Sequence, residues 1–301
     1  MFWSIVHRGG LLLYLTLPQA RGERYSSTTV MEDSMPNTKP TAVRSLTILD
    51  FGRADIDLGA VMAPGDRDGV WATCAFPGFL IELNDGRRIL IDTGPHRRHI
   101  TEPMFEFRGT GFDEQLIPRM TPADDPINRL ADLGLTLADI DTLVVTHCHF
   151  DHNGNTADFA NSEIVIHRDA WTDGIERGRS NRPGGIPESA ISGIPLNYRI
   201  IDGDTELAPG LTLLETPGHA PGHLSVLLEL PATGPVILAI DAIYSQVNRD
   251  AANYRVYADP AAAQRSADRL IALAESENAL LIYGHDPDQW EILSKAPDHY
   301  S

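Results

Sequence analysis

The stretch VVTHCHFDHNG, Val144–Gly154, sets His147, His149, Asp151 and His152 within six consecutive positions. It follows the apolar, β-branched run DTLVV, which reads as a buried strand. Side chains two apart in an extended segment point the same way, so His147 and His149 reach a common point as the strand ends. Asp151 and His152 follow at once, on a tight loop that can turn them toward a second point. Such a run has little use as packing. It asks for a metal ion, and therefore for further ligands brought alongside by other strands.

Those ligands stand downstream at comparable places. LTLLETPGH carries His219 just beyond an apolar run, ILAID ends on Asp241, and LLIYGH ends on His285. Five histidines and two aspartates are enough for two divalent cations. One cation would take three histidines, the other two histidines and Asp151, with Asp241 between them. An imidazole-rich set with two carboxylates suits zinc, with iron, cobalt and manganese as alternatives. Cys148 sits between two of these histidines, so alternation turns it away from the metal and makes it a small packing residue. His96, His99, His167 and His299 lack such a context and are assigned no chemistry.

The rest of the chain supports an α/β reading. FLIEL (Phe79–Leu83), RILIDTG (Arg88–Gly94), DTLVVTH (Asp141–His147) and EIVIHR (Glu163–Arg168) read as strands, the first two joined by an Asn84–Gly86 turn. ADDPINRLADLGL reads as a helix with Ile127, Leu130 and Leu133 on one face and Gly134 near its end. GLTLLETPG, HLSVLLEL and PVILAID read as strands, DPAAAQRSADRLIALAESEN as an Asp-capped amphipathic helix and ALLIYGH as a last buried strand. Two similar halves of strands with interspersed helices predict an αββα sandwich, two sheets between helical layers. FEFRGTGF and the stretch from Trp171 to Leu196 read as loops beside the site.

One domain over residues 44–301 accommodates all of this, behind an N-terminal extension, residues 1–43, outside the fold. GGLLLYLTLPQARGE resembles a short secretory leader cut near Ala20, too short to span a bilayer. The stronger alternative is a start at Met31 or Met35 and a cytoplasmic protein. Two cysteines, Cys74 and Cys148, make no disulfide framework. With 42 acidic against 24 basic residues, the net charge of −18 disfavours nucleic acid and anionic membrane as partners. A small molecule is the expected partner, and a homodimer is compatible.

Taken together, the ligand motifs from Asp92 to His285 resemble the metallo-β-lactamase fold superfamily, and within it the quorum-quenching N-acyl-homoserine lactonases. Tyr244 in DAIY stands three residues after Asp241, where those lactonases carry a catalytic tyrosine. YGHDPDQ looks like their closing Gly-His-Asp motif, and LIPRMTPADDPINRLADLGL, Leu116–Leu135, resembles the segment leading to their metal motif. The resemblance implies that Asp92 in LIDTG supports a metal-bound histidine from behind, and that His223 is a hydrogen-bonded core residue despite its spacing from His219. It implies hydrolysis of N-acyl-L-homoserine lactones by a hydroxide generated on the metals, with Tyr244 donating to the carbonyl oxygen and Asp151 returning a proton to the ring oxygen. The alternative is a 4-pyridoxolactonase-like enzyme or another small-lactone or ester hydrolase. An acyl tail would need an apolar groove, for which Met104, Phe105, Phe107, Phe112 and Ile186–Ile194 are candidates. Glyoxalase II is disfavoured by the short segment after Asp241, and a non-catalytic scaffold by the complete ligand set.

Overall fold

A computed structural model describes residues 41–186 and 196–301. The leader-like stretch and the starts at Met31 and Met35 lie outside the described residues, as do positions 187–194 of the candidate groove. The first sheet contains β1 (Val43–Asp57), β2 (Trp71–Leu83), β3 (Arg88–Ile91), β4 (Leu116–Arg119), β5 (Thr142–Val145), β6 (Glu163–His167) and β7 (Asn197–Ile201). Their spatial order is β4-β1-β2-β3-β5-β6-β7. β4, β1, β2 and β3 pair antiparallel, whereas β3, β5, β6 and β7 run parallel. The second sheet contains β8 (Thr205–Ala208), β9 (Leu211–Glu215), β10 (Leu224–Leu230), β11 (Gly234–Ile240) and β12 (Leu280–Tyr283), in the order β12-β11-β10-β9-β8. Only its β11–β12 pair is parallel.

Alternation along the strands builds two apolar layers per sheet. Ile89, Ile91, Val144 and Val165 fall in one buried cluster with Leu213, Val226, Leu228 and Leu238 of the other sheet, which is the interior of the sandwich. Leu90, Leu143, Val145 and Ile164 face the other way and join helical side chains such as Leu130. Each such Leu or Ile, removed from water, contributes about 1.5–3 kcal/mol.

The helices among the described residues are α1 (Leu58–Val61), α2 (Pro126–Asp132), α3 (Phe150–Asn153), α4 (Arg168–Arg179), α5 (Gln246–Ala251), α6 (Pro260–Glu277) and α7 (Pro287–Ile292), the last of which sends Trp290 into the interior cluster. The expected helix after Asp259 is α6. Asp259 accepts from the N–H groups of Ala261 and Ala262, Pro260 opens the first turn, and Asn278 closes it at φ 52°. Its buried stripe, Ala263, Ala267 and Leu270, clusters with Ile237 and Ala239 of β11. No helix among the described residues is long and apolar enough to cross a membrane.

Three expectations are corrected. The helix read from Ala123 to Leu135 is shorter, because Asp125 caps a fresh start at Pro126 after a separate 3-10 turn at Pro122–Asp124. Leu130 is buried as expected, but Ile127 is 39% exposed, and Pro126 takes its place on the inner face. The strand read as Phe79–Leu83 is the end of a β2 that begins at Trp71. Pro77–Gly78 suggests a break, yet Pro77 lies opposite Asp50, beside a register shift between β1 and β2. A Cβ on Gly78 would lie 2.0 Å from the Phe51 ring, so glycine is what lets that ring pack there. The third correction is α4, which turns Trp171–Arg179 into helix rather than loop. Its glycines hid it: a Cβ on Gly174 would meet Cys148 Sγ at 2.6 Å, so close packing overrides helix propensity there.

Candidate metal centre

All seven ligand-type side chains meet at one end of the sandwich. His147 and His149 follow β5, and Asp151 and His152 ride on α3. His219 follows β9, Asp241 follows β11 and His285 follows β12. The β11–β12 corner is tightly built. Ile240 holds φ 51°, and a Cβ on Gly284 would lie 2.5 Å from the Ile240 carbonyl oxygen and 2.9 Å from Asp241 Oδ1. Only glycine lets the two strand ends come this close.

The side chains form two groups, His147, His149, His219 and Asp241 in one, and Asp151, His152 and His285 in the other. In the first, His149 Nδ1 lies 2.7 Å from His219 Nε2 and 3.1 Å from His147 Nε2, and those two Nε2 atoms are 3.1 Å apart. Asp241 reaches across both groups. Its carboxylate oxygens lie 3.2 Å from His219 Nε2, 3.6 Å from His147 Nε2, 3.4 Å from His152 Nε2 and 3.0 Å from His285 Nε2. Asp151 Oδ2 stands 3.6 Å from both His152 Nε2 and His285 Nε2.

Divalent cations fit these residues. The buried atoms His152 Nε2 and Asp241 Oδ1 have no hydrogen-bond partner among the described residues. Orphaned buried polar atoms that converge with other donors are what an ion would satisfy. The electrostatics agree. Burial disfavours charge on His147 and His149 and drives both well below the usual histidine range, helped by the neighbouring imidazoles. Burial lowers His219 to about 4. Burial also opposes charge on His152, yet Asp241, Asp151 and Asp92 outweigh it and push that ring well above the normal range. Three carboxylates in a dry pocket call for positive charge.

Each expected supporting residue has a definite place. Asp92, at φ 62°, lies with Oδ2 2.8 Å from His152 Nδ1 while its carboxylate accepts from the Thr146 N–H at 2.9 Å and hydroxyl at 2.8 Å. His223 is fully buried, accepts from the Asp241 N–H through Nε2 at 3.1 Å and meets Thr216 Oγ1 through Nδ1 at 2.8 Å. Cys148 donates to the Ala170 carbonyl at 3.3 Å, away from the cluster, and burial pushes its thiol up to about 12. His99 is buried against Phe105, Phe107 and Phe150, with Nδ1 2.7 Å from the Pro103 carbonyl oxygen. His96 and His167 accept from backbone N–H groups at helix starts.

Tyr244 is 8% exposed, and its oxygen lies 3.2 Å from His219 Nδ1. Burial and the Asp241 and Asp151 charges hold the phenol protonated, well above its usual pKa. It lines a cavity of about 460 Å³ together with His149, Asp151, His219, Asp241 and His285. Its apolar lining includes Ile56, Val61, Phe107, Phe112, Leu116 and Val256. Of the groove candidates, Phe107 and Phe112 line it. Met104 and Phe105 do not, since Phe105 packs on His99 and His96 and Met104 against the core. Ile186 is buried behind Gly174. The sequence reading missed Ile56, Val61, Val256 and the pocket arginines Arg177 and Arg182. The one usable signal was the apolar alternation at the end of β1.

The Metallo-beta-lactamase superfamily model matches residues 78–285. An N-acyl homoserine lactonase of Bacillus thuringiensis is 32% identical over 261 residues, 85% of this chain and 99% of its own. The N-acyl homoserine lactonase AttM of Azorhizobium caulinodans is 32% identical over 235 residues, 74% of this chain and 86% of its own. A solved N-acyl homoserine lactone hydrolase, with the product N-hexanoyl-L-homoserine at its catalytic metal center, superposes with a TM-score of 0.76 at 31% identity, covering 86% of this chain and 99% of that one. Two sheets flanked by helices, ligand-type residues gathered at the strand ends and a match over most of the fold lead to one conclusion: the chain belongs to the metallo-beta-lactamase superfamily.

Proposed function

We propose that this chain is a metal-dependent hydrolase that opens N-acyl-L-homoserine lactones to N-acyl-homoserines. The observation that carries the reading is the cavity, whose lining joins five of the seven ligand-type residues, His149, Asp151, His219, Asp241 and His285, and Tyr244 to a largely apolar set of side chains. Relatives named for this activity support the choice of substrate. His147, His149 and His219 would hold one divalent cation, Asp151, His152 and His285 the other, and Asp241 would lie between them. Zinc suits the donor set, and two such ions supply an activated water and polarise the lactone carbonyl.

The chain's own residues do the rest. With Nε2 in the cluster, His219 keeps its ring proton on Nδ1 and donates it to the Tyr244 oxygen. The phenol hydrogen is then free for the carbonyl oxygen as negative charge builds there. As the water oxygen bonds to the carbonyl carbon, the ring C–O bond breaks and its oxygen needs a proton. Asp151, whose Oδ2 stands 3.6 Å from His152 Nε2 and His285 Nε2, takes the proton that the water gives up on attack and returns it to that oxygen. The acyl tail lies along Phe107, Phe112 and Leu116. Two buried, unpaired cysteines suit a reducing, cytoplasmic setting.

A lactone panel tests the reading. kcat/KM should rise with acyl length, while 4-pyridoxolactone, which has no tail, is left intact. Turnover of the pyridine lactone with indifference to acyl lactones would overturn the assignment.

A further inference from the structure

Every ligand-type histidine is backed on the side away from the cluster, and the backing groups are not alike. His152 Nδ1 faces the Asp92 carboxylate at 2.8 Å, and His285 Nδ1 faces the Ala75 carbonyl at 2.8 Å. His147 Nδ1 meets the Thr146 hydroxyl at 3.1 Å, and His219 Nδ1 the Tyr244 hydroxyl at 3.2 Å. All four partners can accept an imidazole N–H, the arrangement that leaves the other nitrogen bare for a metal. His149 differs. Its Nδ1 faces the cluster, and its Nε2 lies 3.1 Å from Arg177 Nη2. A guanidinium has five donors and no acceptor.

That contact is a hydrogen bond only if Nε2 accepts, which puts the ring proton on Nδ1, the atom that would have to bind the cation. Ligation moves the proton to Nε2 and leaves two donors facing each other. Arg177 is not free to withdraw: Asp173 accepts from its Nε at 2.5 Å, the Pro183 carbonyl lies 3.4 Å from Nη1, and the side chain is 12% exposed. We propose that Arg177 is a positioning residue that holds His149 in its non-ligating ring form, making the His147–His149–His219 site the weaker of two metal sites. The proposal rests on the two-metal reading of the cluster and deepens it. One cation is held firmly by rings braced on acceptors, and the other exchanges.

Metal-stripped protein titrated with zinc against a chromophoric chelator should bind in two separate steps. Arg177→Gln supplies an amide oxygen that can accept from Nε2–H, so it should tighten the weaker step by about 10–100-fold, the usual size of such backing effects, and leave the tighter step in place. Arg177→Lys, which keeps a pure donor, should leave the weaker step weak. Imidazole nitrogen NMR of the metal-free parent gives a readout independent of any variant: His149 should carry its proton on Nδ1. An Nε2-protonated His149, or a weaker step unmoved in Arg177→Gln, would overturn the proposal. Equal affinities for the two zinc ions in the parent would also overturn it. Saturation at one equivalent of zinc would instead remove the two-metal reading, and this proposal with it.

Discussion

Four histidine nitrogens lie within 3.6 Å of the Asp241 carboxylate, each from a segment that ends a strand or opens the short helix beyond it. In the apolar lining of the cavity, Val61 comes from α1, Leu116 from β4, Phe112 from the turn before it and Val256 from the segment after α5. These two sets of residues obey different rules. A metal cluster dictates the element and position of each donor atom, so only a few residue types serve, at fixed places on a rigid frame. An apolar wall asks only for hydrocarbon surface, and many residues on unrelated segments supply it. Chemistry should therefore be brittle to substitution and tail recognition graded.

The largest effect should follow Asp241→Asn, which replaces the shared carboxylate with a weakly ligating amide. Metal content should fall at both sites and turnover by at least about 10³-fold, since the metals supply both nucleophile and electrophile. Elemental analysis alongside kinetics decides this, and a fully active variant would break the contrast at its strongest point. Tyr244→Phe should lower kcat by about 10²-fold with metal content intact, because it deletes a donor rather than a ligand. A rate close to the parent's would move Tyr244 to the packing side of the comparison. Phe112→Ala, on the wall, should weaken kcat/KM for long-chain lactones by roughly tenfold, the worth of about 1–2 kcal/mol of lost apolar contact, and spare short-chain ones. Equal losses for both would mean that the wall also shapes the reacting end.

The smallest effect concerns Glu106, between wall segments. Burial pushes its carboxyl up to about 7, while the Gly184 N–H pulls the other way, and Oε2 has no hydrogen-bond partner among the described residues. The folded pKa lies above the unfolded one, so the contribution to stability is full below the ordinary glutamate range and is lost as pH rises through about 7. Glu106→Gln should therefore melt progressively higher than the parent as pH goes from about 5 to about 8. A constant offset in thermal unfolding across that range would count against the buried carboxyl.

The same contrast explains what could be read from residues alone. His147, His149, Asp151 and His152 announce themselves because their spacing is local, and His219, Asp241 and His285 because each closes an apolar run. Asp92 and Tyr244 were legible only through family likeness, since a lone Asp or Tyr has no pattern. Thr146 stood beside the motif, yet its hydrogen bonds to Asp92 depend on a β3–β5 pairing that no local pattern states. The Ala75 carbonyl behind His285 was invisible, because any residue offers one. Arg177 was missed with α4, whose glycines answer to Cys148 and Ile186 rather than to helix propensity.

The corner where Gly284 rests on Ile240 also bears on how the protein is made. A ribosome delivers the segment from His147 to His152 long before β12, and domains take shape from the N-terminal side during synthesis. A nascent chain therefore owns four donors well before it owns the corner that brings His285 to Asp241. Cations met early find an open, incomplete set, and the complete set has to wait until β12 lies alongside β11. Prematurely ended copies should thus leave the ribosome poor in metal, and loading belongs to the last moments of folding rather than to its beginning.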